Sequence, residues 1–384
     1  MKILITTDLY TTSTNGVVTS VRNLWDELKH RGHDVRILTL SENLDSYKEG
    51  DVYYIKSISI EFVYPDVRMP LSYHNDLVNE LIEWKPDVIH SQCEFFSFQY
   101  ARRIAKLTGA PLLHTYHTLY EQYVAYVIPS KRLGKRMVQE LSRIRLKHVN
   151  MIIAPTTKVE DALRQYGMDN EIQVIPSGIS LEQHTGRMSE EARLEKRESL
   201  GISKDCHVIL NLGRLGTEKN LQELIQFFKM ALMQNPNLFF LIVGDGPDRK
   251  HLEELTEELG ISSNVLFTGM VQPTQVQEYY QIADVFVSAS TSETQGLTYI
   301  EAIANGLPLL CRSDKCLQGV VQDGVNGYEY TSDEDFLNKL NLILNNPQWR
   351  INARLQSERI AENFGKSHFV DAMEDMYQAL LNEE

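Results

Sequence analysis

The sequence predicts an α/β protein built from two doubly wound domains. Short β-branched runs alternate with amphipathic stretches from end to end, and the alternation falls into two successive series. The chain has 384 residues, 42% hydrophobic and 23% charged, which is enough for two separate cores. In the first series KILITTD, DVRILTL, VYYIKSI, DVIHSQ, PLLHTYH and MIIAPT read as strands, and in the second HVILNLG, LFFLIVGDG, VLFTGM, VFVSAS and PLLCR do. Between them lie helical patterns such as Val17, Val21, Leu24, Trp25 and Leu28, which share one face and stop at Gly32. Strand, helix, strand repeated in this way means parallel sheets covered on both faces. The break between the series falls near IPSG (175–178) or in the polar stretch around 181–203.

Composition narrows the class. Cys93, Cys206, Cys311 and Cys316 show neither CxxC pairs nor histidine partners, so a reduced cytosolic protein without structural metal is expected. MKILITTDLY turns polar after five residues, unlike the apolar region of a signal peptide. No apolar run approaches the ~20 residues that span a bilayer. The net charge of -14 is uneven: residues 1–170 hold 21 Lys+Arg and 20 Asp+Glu, leaving 17 and 32 for the rest, so +1 stands against -15. The two halves are expected to face different partners.

In parallel sheets ligands collect at the carboxyl ends of strands. Four stretches there carry chemistry. NLGRLGTEKN (211–220) sets Arg214 and Lys219 in one loop, a guanidinium fork and an ammonium suited to a diphosphate, or simply two solvated charges. SETQGLTYIEA (292–302) puts Glu293 and Glu301 eight positions apart, which in a single helix means ~80° of rotation and ~12 Å of separation. Glu293 therefore belongs to the loop and Glu301 to the helix, with the amides near Gln295 and Gly296 as an anion site. Two acids beside a diphosphate repel it unless they accept from hydroxyls while Arg214 and Lys219 lie opposite. HTYHTLYEQY (114–123) offers His114 and His117, without the spacing of a zinc site; one is a polar contact to substrate, or both are packed or exposed. TTSTNGVVTSV (11–21) opens a helix at Asn15 and Gly16, an anion-competent turn that is not GxGxxG. Gly244 and Gly246 of VGDGPD (243–248) most simply make a tight turn, near which a nucleotide could pass.

Taken in order, the Asn15–Gly16 turn, HTYHT, VIPSGIS, GRLGTEK, VGDGPD, the Glu-x7-Glu pair and the GLP after it resemble the retaining GT-B glycosyltransferases of family 4 along nearly the whole chain. SETQGLTYIEA is similar to the branch that glucosylates diacylglycerol; Thr294 and Gln295 stand where the commoner form has Gly and Phe. The resemblance implies two Rossmann-like domains facing each other across a closing cleft: 1–177, with a C-terminal helix at about 366–384 returning to it, and 178–365. It implies that Arg214 and Lys219 hold the donor diphosphate and Glu301 the ribose hydroxyls. Glu293 would hold the transferred sugar, with the backbone near Gln295, Gly296 and Leu297. Gly16 joins the donor-binding set, His117 meets the sugar from the first domain, and no metal is required. The donor is UDP-glucose or UDP-galactose as co-substrate. Transfer proceeds with retention, the cations and amides stabilising the leaving diphosphate.

Residues 131–148 carry seven basic residues, Lys131, Arg132, Lys135, Arg136, Arg143, Arg145 and Lys147, against one acid, Glu140. Leu133, Met137, Leu141 and Ile144 follow helical spacing and form one apolar stripe. Such a helix lies on an anionic bilayer, or it is a core helix with a solvated basic face. No nucleic-acid-binding module is recognised. With the SETQG wording, the expectation is a lipid acceptor, diacylglycerol bare or already glycosylated, met by a cytoplasmic protein bound peripherally to the inner face of the cell membrane. Tyr120, Tyr123, Tyr126 and Val127 would line an apolar entrance or belong to the core. The alternatives are a soluble acceptor, polyol or polysaccharide, and a noncatalytic sugar-nucleotide-binding subunit of the same fold.

Overall fold

The structure, a computed structural model, describes residues 1–10, 15–60, 67–122, 130–184 and 186–382; the side chains of Gln122 and Lys131 lie outside that description. The chain divides into two units, Met1–Ile179 with Gly365–Glu384, and Ser180–Phe364.

Unit 1 contains β1 (Lys2–Thr6), β2 (Asp34–Leu40), β3 (Tyr47–Glu49), β4 (Val52–Ile55), β5 (Ser57–Ser59), β6 (Arg68–Pro70), β7 (Val88–Ser91), β8 (Leu112–Thr115), β9 (Met151–Ala154) and β10 (Glu171–Val174). Eight of these form one sheet in the order β10-β9-β8-β7-β1-β2-β4-β3, parallel except at the edge strand β3. β5 and β6 pair as a separate antiparallel ribbon. The helices α1 (Gly16–His30), α2 (Asp76–Trp84), α3 (Phe96–Thr108), α4 (Lys131–Leu146) and α5 (Thr157–Gln165) connect the strands. The central strands are buried along their length because helices cover both faces, so Ile3, Leu4 and Ile5 all vanish from the surface.

Unit 2 contains β11 (His207–Leu212), β12 (Leu238–Val243), β13 (Val265–Phe267), β14 (Val285–Ser288), β15 (Leu309–Arg312) and β16 (Gly327–Tyr330). They run parallel in the order β13-β12-β11-β14-β15-β16. Its helices are α6 (Glu190–Ser199), α7 (Leu221–Gln234), α8 (Arg249–Glu258), α9 (Val276–Ile282), α10 (Leu297–Ala304), α11 (Asp333–Leu344) and α12 (Pro347–Ala361). In both sheets the winding reverses once, between β1 and β7 in unit 1 and between β11 and β14 in unit 2. At such a reversal the flanking loops diverge and leave a crevice, which is where open α/β sheets bind ligands.

The final helix, α13 (Lys366–Asn382), packs on unit 1 and buries Phe369, Val370, Met373, Tyr377 and Leu380. Arg31 fixes it through Asp371 at 2.6 Å and Glu374 at 2.5 Å, and the Tyr377 hydroxyl meets Nδ1 of buried His90 at 2.7 Å. The glycine of IPSG makes this return possible. A Cβ on Gly178 would stand 2.7 Å from Cα of Lys366, where the Lys366 amide donates to the Ile179 carbonyl.

In unit 2 the loops after β11 and β12 are joined backbone to backbone. The amides of Gly213 and Leu215 donate to Val243 and Asp245, and that of Asp248 donates back to Leu215. A Cβ at Gly244 would lie 2.0 Å from the Gly213 carbonyl oxygen, and φ there is +128°. VGDGPD is thus the support on which GRLGTEK rests. Gly244→Ala is expected to cost about 2–3 kcal/mol of unfolding free energy; urea denaturation of the variant against the parent chain measures it.

Candidate active site

The loop after β11 turns at Gly213 and enters a short 3-10 turn, Thr217–Lys219, before α7. Asn220, left-handed at φ +53°, ends that turn and opens α7. Asparagine tolerates this conformation better than most residues. Its side chain donates to Glu223, whose carboxylate also receives Arg312 and the Tyr330 hydroxyl. Lys219 is therefore presented from a braced turn. Its Nζ lies 2.5 Å from Oε1 of Glu293, which stands in the loop after β14, across the winding reversal. A second tie joins the same two loops, since the Ser292 hydroxyl donates to the Glu218 carbonyl at 3.2 Å.

Arg214 pairs with the nearly buried carboxylate of Glu218 and keeps about two-fifths of its own side chain exposed. Lys219 contacts Glu293 directly, and Arg214 pairs with Glu218, an acid that the spacing of Arg214 and Lys219 does not point to. The GTEK wording contained it, but only the 3-10 turn folds Glu218 back onto Arg214.

α10 begins at Leu297, so Glu293 belongs to the loop and Glu301 to the helix. Gly296 caps the helix in the left-handed region, and Gln295 is buried. Glu301 accepts from the Tyr280 hydroxyl at 2.8 Å. Burial pushes its carboxyl up to about 7, against the smaller lowering effect of that hydrogen bond. A half-buried acid whose recorded partner is a neutral hydroxyl is well suited to accept from further hydroxyls.

In unit 1, Asn15 accepts the Val18 amide at 3.0 Å and Gly16 opens α1. Ser20 and Asn23 on α1 hold Ser177 and the Gly178 carbonyl. Residues 11–14 of that stretch lie outside the described residues. The two histidines separate clearly. His114 is fully buried between Phe98 and Tyr116. His117 is partly exposed, with Nε2 2.7 Å from Oε1 of Gln92, and desolvation pushes its imidazole down to about 3. It is a neutral hydrogen-bonding group at physiological pH, not a cation. Among the described residues no cluster of His, Cys, Asp or Glu has the form of a metal site.

α4 corrects one expectation. Leu133, Met137, Leu141 and Ile144 do share a face, yet that face is turned outward, with exposures from 43% at Leu141 to 61% at Ile144. Gly134, Val138, Ser142 and Leu146 make the inner face instead. The core-helix reading of this stripe is therefore excluded. Arg132, Lys135, Arg136, Arg143 and Lys147 are exposed around it, with Lys135 near Glu121 and Arg143 paired with Glu140. Arg145 leaves the basic set. It points inward, donating to the carbonyls of Glu94 at 2.5 Å and Phe95 at 3.1 Å. The Lys131 side chain and residues Tyr123, Tyr126 and Val127 lie outside the description, and Tyr120 hydrogen-bonds Glu94. No described helix is long and apolar enough to cross a membrane.

Comparison with known proteins gives the family. Residues 14–183 match the model of Glycosyltransferase Family 4, and residues 192–363 that of Glycosyl transferases group 1. The chain is 34% identical to an alpha-monoglucosyldiacylglycerol synthase of Streptococcus pneumoniae over 95% of its own length and 84% of the relative's. It is 32% identical to the enzyme of the same name from Acholeplasma laidlawii, over 100% and 98%. Among solved structures, Anabaena HepE in complex with UDP and glucose superposes with a TM-score of 0.78 at 16% identity, covering 99% of this chain and all of that one. This last likeness shows the GT-B fold.

The raised carboxyl of Glu301 has a consequence for stability. An acid with a higher pKa in the folded state than the ~4.3 of an unfolded chain favours folding when protonated. That contribution is complete below the unfolded value and is lost as pH rises through about 7. Glu301→Gln is expected to raise Tm most at alkaline pH and to flatten the Tm profile across that interval; a thermal scan at several pH values checks it.

Proposed function

The chain belongs to glycosyltransferase family 4, and from that premise we propose that it moves glucose from UDP-glucose to a diacylglycerol-type acceptor, retaining the anomeric configuration, at an anionic membrane surface. The observation that carries the lipid acceptor is the outward apolar stripe of α4 with its exposed basic residues. An amphipathic helix of that kind gains by burying the stripe among acyl chains while its cations meet anionic headgroups. The names of the two synthases similar to this chain point to the same acceptor.

In this reading the donor diphosphate lies at the reversal in unit 2. Lys219 and Arg214 neutralise its charge, each swinging part of its contact away from Glu293 and Glu218. Glu293, relieved of its lysine, accepts from hydroxyls of the transferred glucose, and Glu301 accepts from the ribose. The backbone around Gln295, Gly296 and Leu297 supplies amides at the start of α10. As the bond from sugar to phosphate lengthens, negative charge grows on the leaving oxygens, so the fixed cations stabilise the transition state more than the ground state. The acceptor hydroxyl then attacks from the departing face and gives its proton to the leaving phosphate. No protein nucleophile is needed.

Anionic liposomes containing diacylglycerol, incubated with UDP-glucose or UDP-galactose in turn, test the assignment through the glycolipid formed. Glucosyl diacylglycerol is expected; transfer only to a soluble polyol or polysaccharide contradicts it. Arg214→Ala and Glu301→Ala should each lower transfer by at least about 100-fold with the circular dichroism spectrum unchanged. Replacing Leu133, Met137, Leu141 and Ile144 together by serine should abolish flotation with anionic vesicles while leaving Tm nearly unchanged, because all four are already exposed. Added salt should weaken flotation of the parent chain.

A further inference from the structure

Unit 1 holds a polar cluster that the donor chemistry does not use. Glu94, in the loop after β7, is 4% exposed, and His114, in β8, is fully buried. The Tyr120 hydroxyl donates to Oε2 of Glu94 at 2.7 Å. Oε1 of the same carboxylate has no hydrogen-bond partner among the described residues, and neither ring nitrogen of His114 has one. Nε2 of His114 lies 3.2 Å from that Oε1 without hydrogen-bonding geometry. Buried polar atoms are normally paired, and a carboxylate oxygen left without a donor calls for a ligand that brings one.

The cluster sits where a ligand belongs. β7 borders the winding reversal of unit 1, and Glu94 lies in the loop that follows β7, the region where open α/β sheets take ligands. The inner face of α4 adjoins it: the Ser142 hydroxyl meets the Tyr116 hydroxyl at 3.1 Å, and Arg145 donates to the carbonyl of Glu94 itself. The outer face of that same helix carries the apolar stripe. The charge of the cluster selects its ligand. A carboxylate with Asp8 close enough to feel its charge repels phosphate, and the group it welcomes is a neutral hydrogen-bond donor.

We propose that Glu94 is an acceptor-binding residue: its Oε1 accepts a hydrogen bond from the free hydroxyl of the glycerolipid, beside the ring of His114. Arg145 and Tyr120 position Glu94 for this contact from its backbone and side-chain ends. The proposal rests on the glycerolipid reading above, and it adds an acceptor determinant carried by unit 1.

The test compares the affinity of the full chain for 1,2-diacylglycerol and for the same lipid lacking its 3-hydroxyl, by competition in anionic vesicles. The unaltered chain should prefer the hydroxyl-bearing lipid by at least about 10-fold. Glu94→Gln should bring the ratio close to one, with UDP affinity retained. Glu94→Asp, which keeps the charge but withdraws the carboxylate by one methylene, should lower the ratio as well, so either folded variant decides. A purely structural Glu94 lowers stability or affinity for both lipids alike and leaves the ratio intact, which overturns the proposal. An unaltered chain that glucosylates diacylglycerol yet shows an unchanged ratio in the variants refutes this inference alone. One that never glucosylates diacylglycerol refutes the glycolipid reading and this inference together.

Discussion

The ion pair between Lys219 and Glu293 is the contact on which the arrangement of unit 2 depends. It spans the winding reversal, joining the loop after β11 to the loop after β14 at 2.5 Å. Both partners are only partly exposed, so their attraction is screened less than that of a surface pair. Around it, Ser292 holds the Glu218 carbonyl, Glu218 holds Arg214, and the β12 loop supports the backbone of residues 213–215. Lys219 and Arg214 each stand beside an acid, which in the proposed function they exchange for phosphate oxygens. Preorganisation of this kind leaves little reorganisation to the moment when charge develops.

The two units use the same topology for different chemistry. In unit 2 the reversal collects cations and partly buried carboxylates, a set that suits the proposed charged donor with its hydroxyls. In unit 1 it collects the neutral imidazole of His117, tyrosine hydroxyls and the buried carboxylate of Glu94, a set suited to an uncharged hydroxyl. α4 turns apolar and basic residues outward from that second set. The proposed lipid acceptor would engage both sides of the helix, its tails the stripe and its headgroup the polar interior.

Much of this was legible in the sequence. The runs that became β1, β2, β4, β7, β8, β9, β11, β12, β14 and β15 are strongly apolar because helices bury both faces, and periodicity reads that burial directly, while β13 is read from an apolar VLF at a sheet edge. β3, β6, β10 and β16 escaped it; β6 lies in the two-stranded ribbon, and the other three form sheet edges and carry polar residues such as Lys48, Gln173 and Glu329. Within the donor site, spacing placed Glu293 in a loop and Glu301 in a helix, since eight residues fix a rotation. It did not reveal Glu218, whose pairing with Arg214 depends on a 3-10 turn. Nor did it reveal the direction of α4: an apolar stripe looks the same whether it meets a core or solvent, and Arg145 looks like its basic neighbours until its carbonyl partners are seen. Glu94 was missed because its burial and its unpartnered oxygen arise from contacts with residues 20 to 51 positions away.

Calorimetric titration of UDP into the unaltered chain, Lys219→Met and Glu293→Gln tests the central contact most directly. The account predicts that Lys219→Met weakens UDP binding by at least about 10-fold. It also predicts that Glu293→Gln, which removes the acid competing for the same ammonium, leaves UDP binding as tight as in the unaltered chain or tighter, while sugar transfer falls. Equal UDP affinity in the parent chain and Lys219→Met, or a loss of UDP binding in Glu293→Gln as large as in the lysine variant, would contradict it.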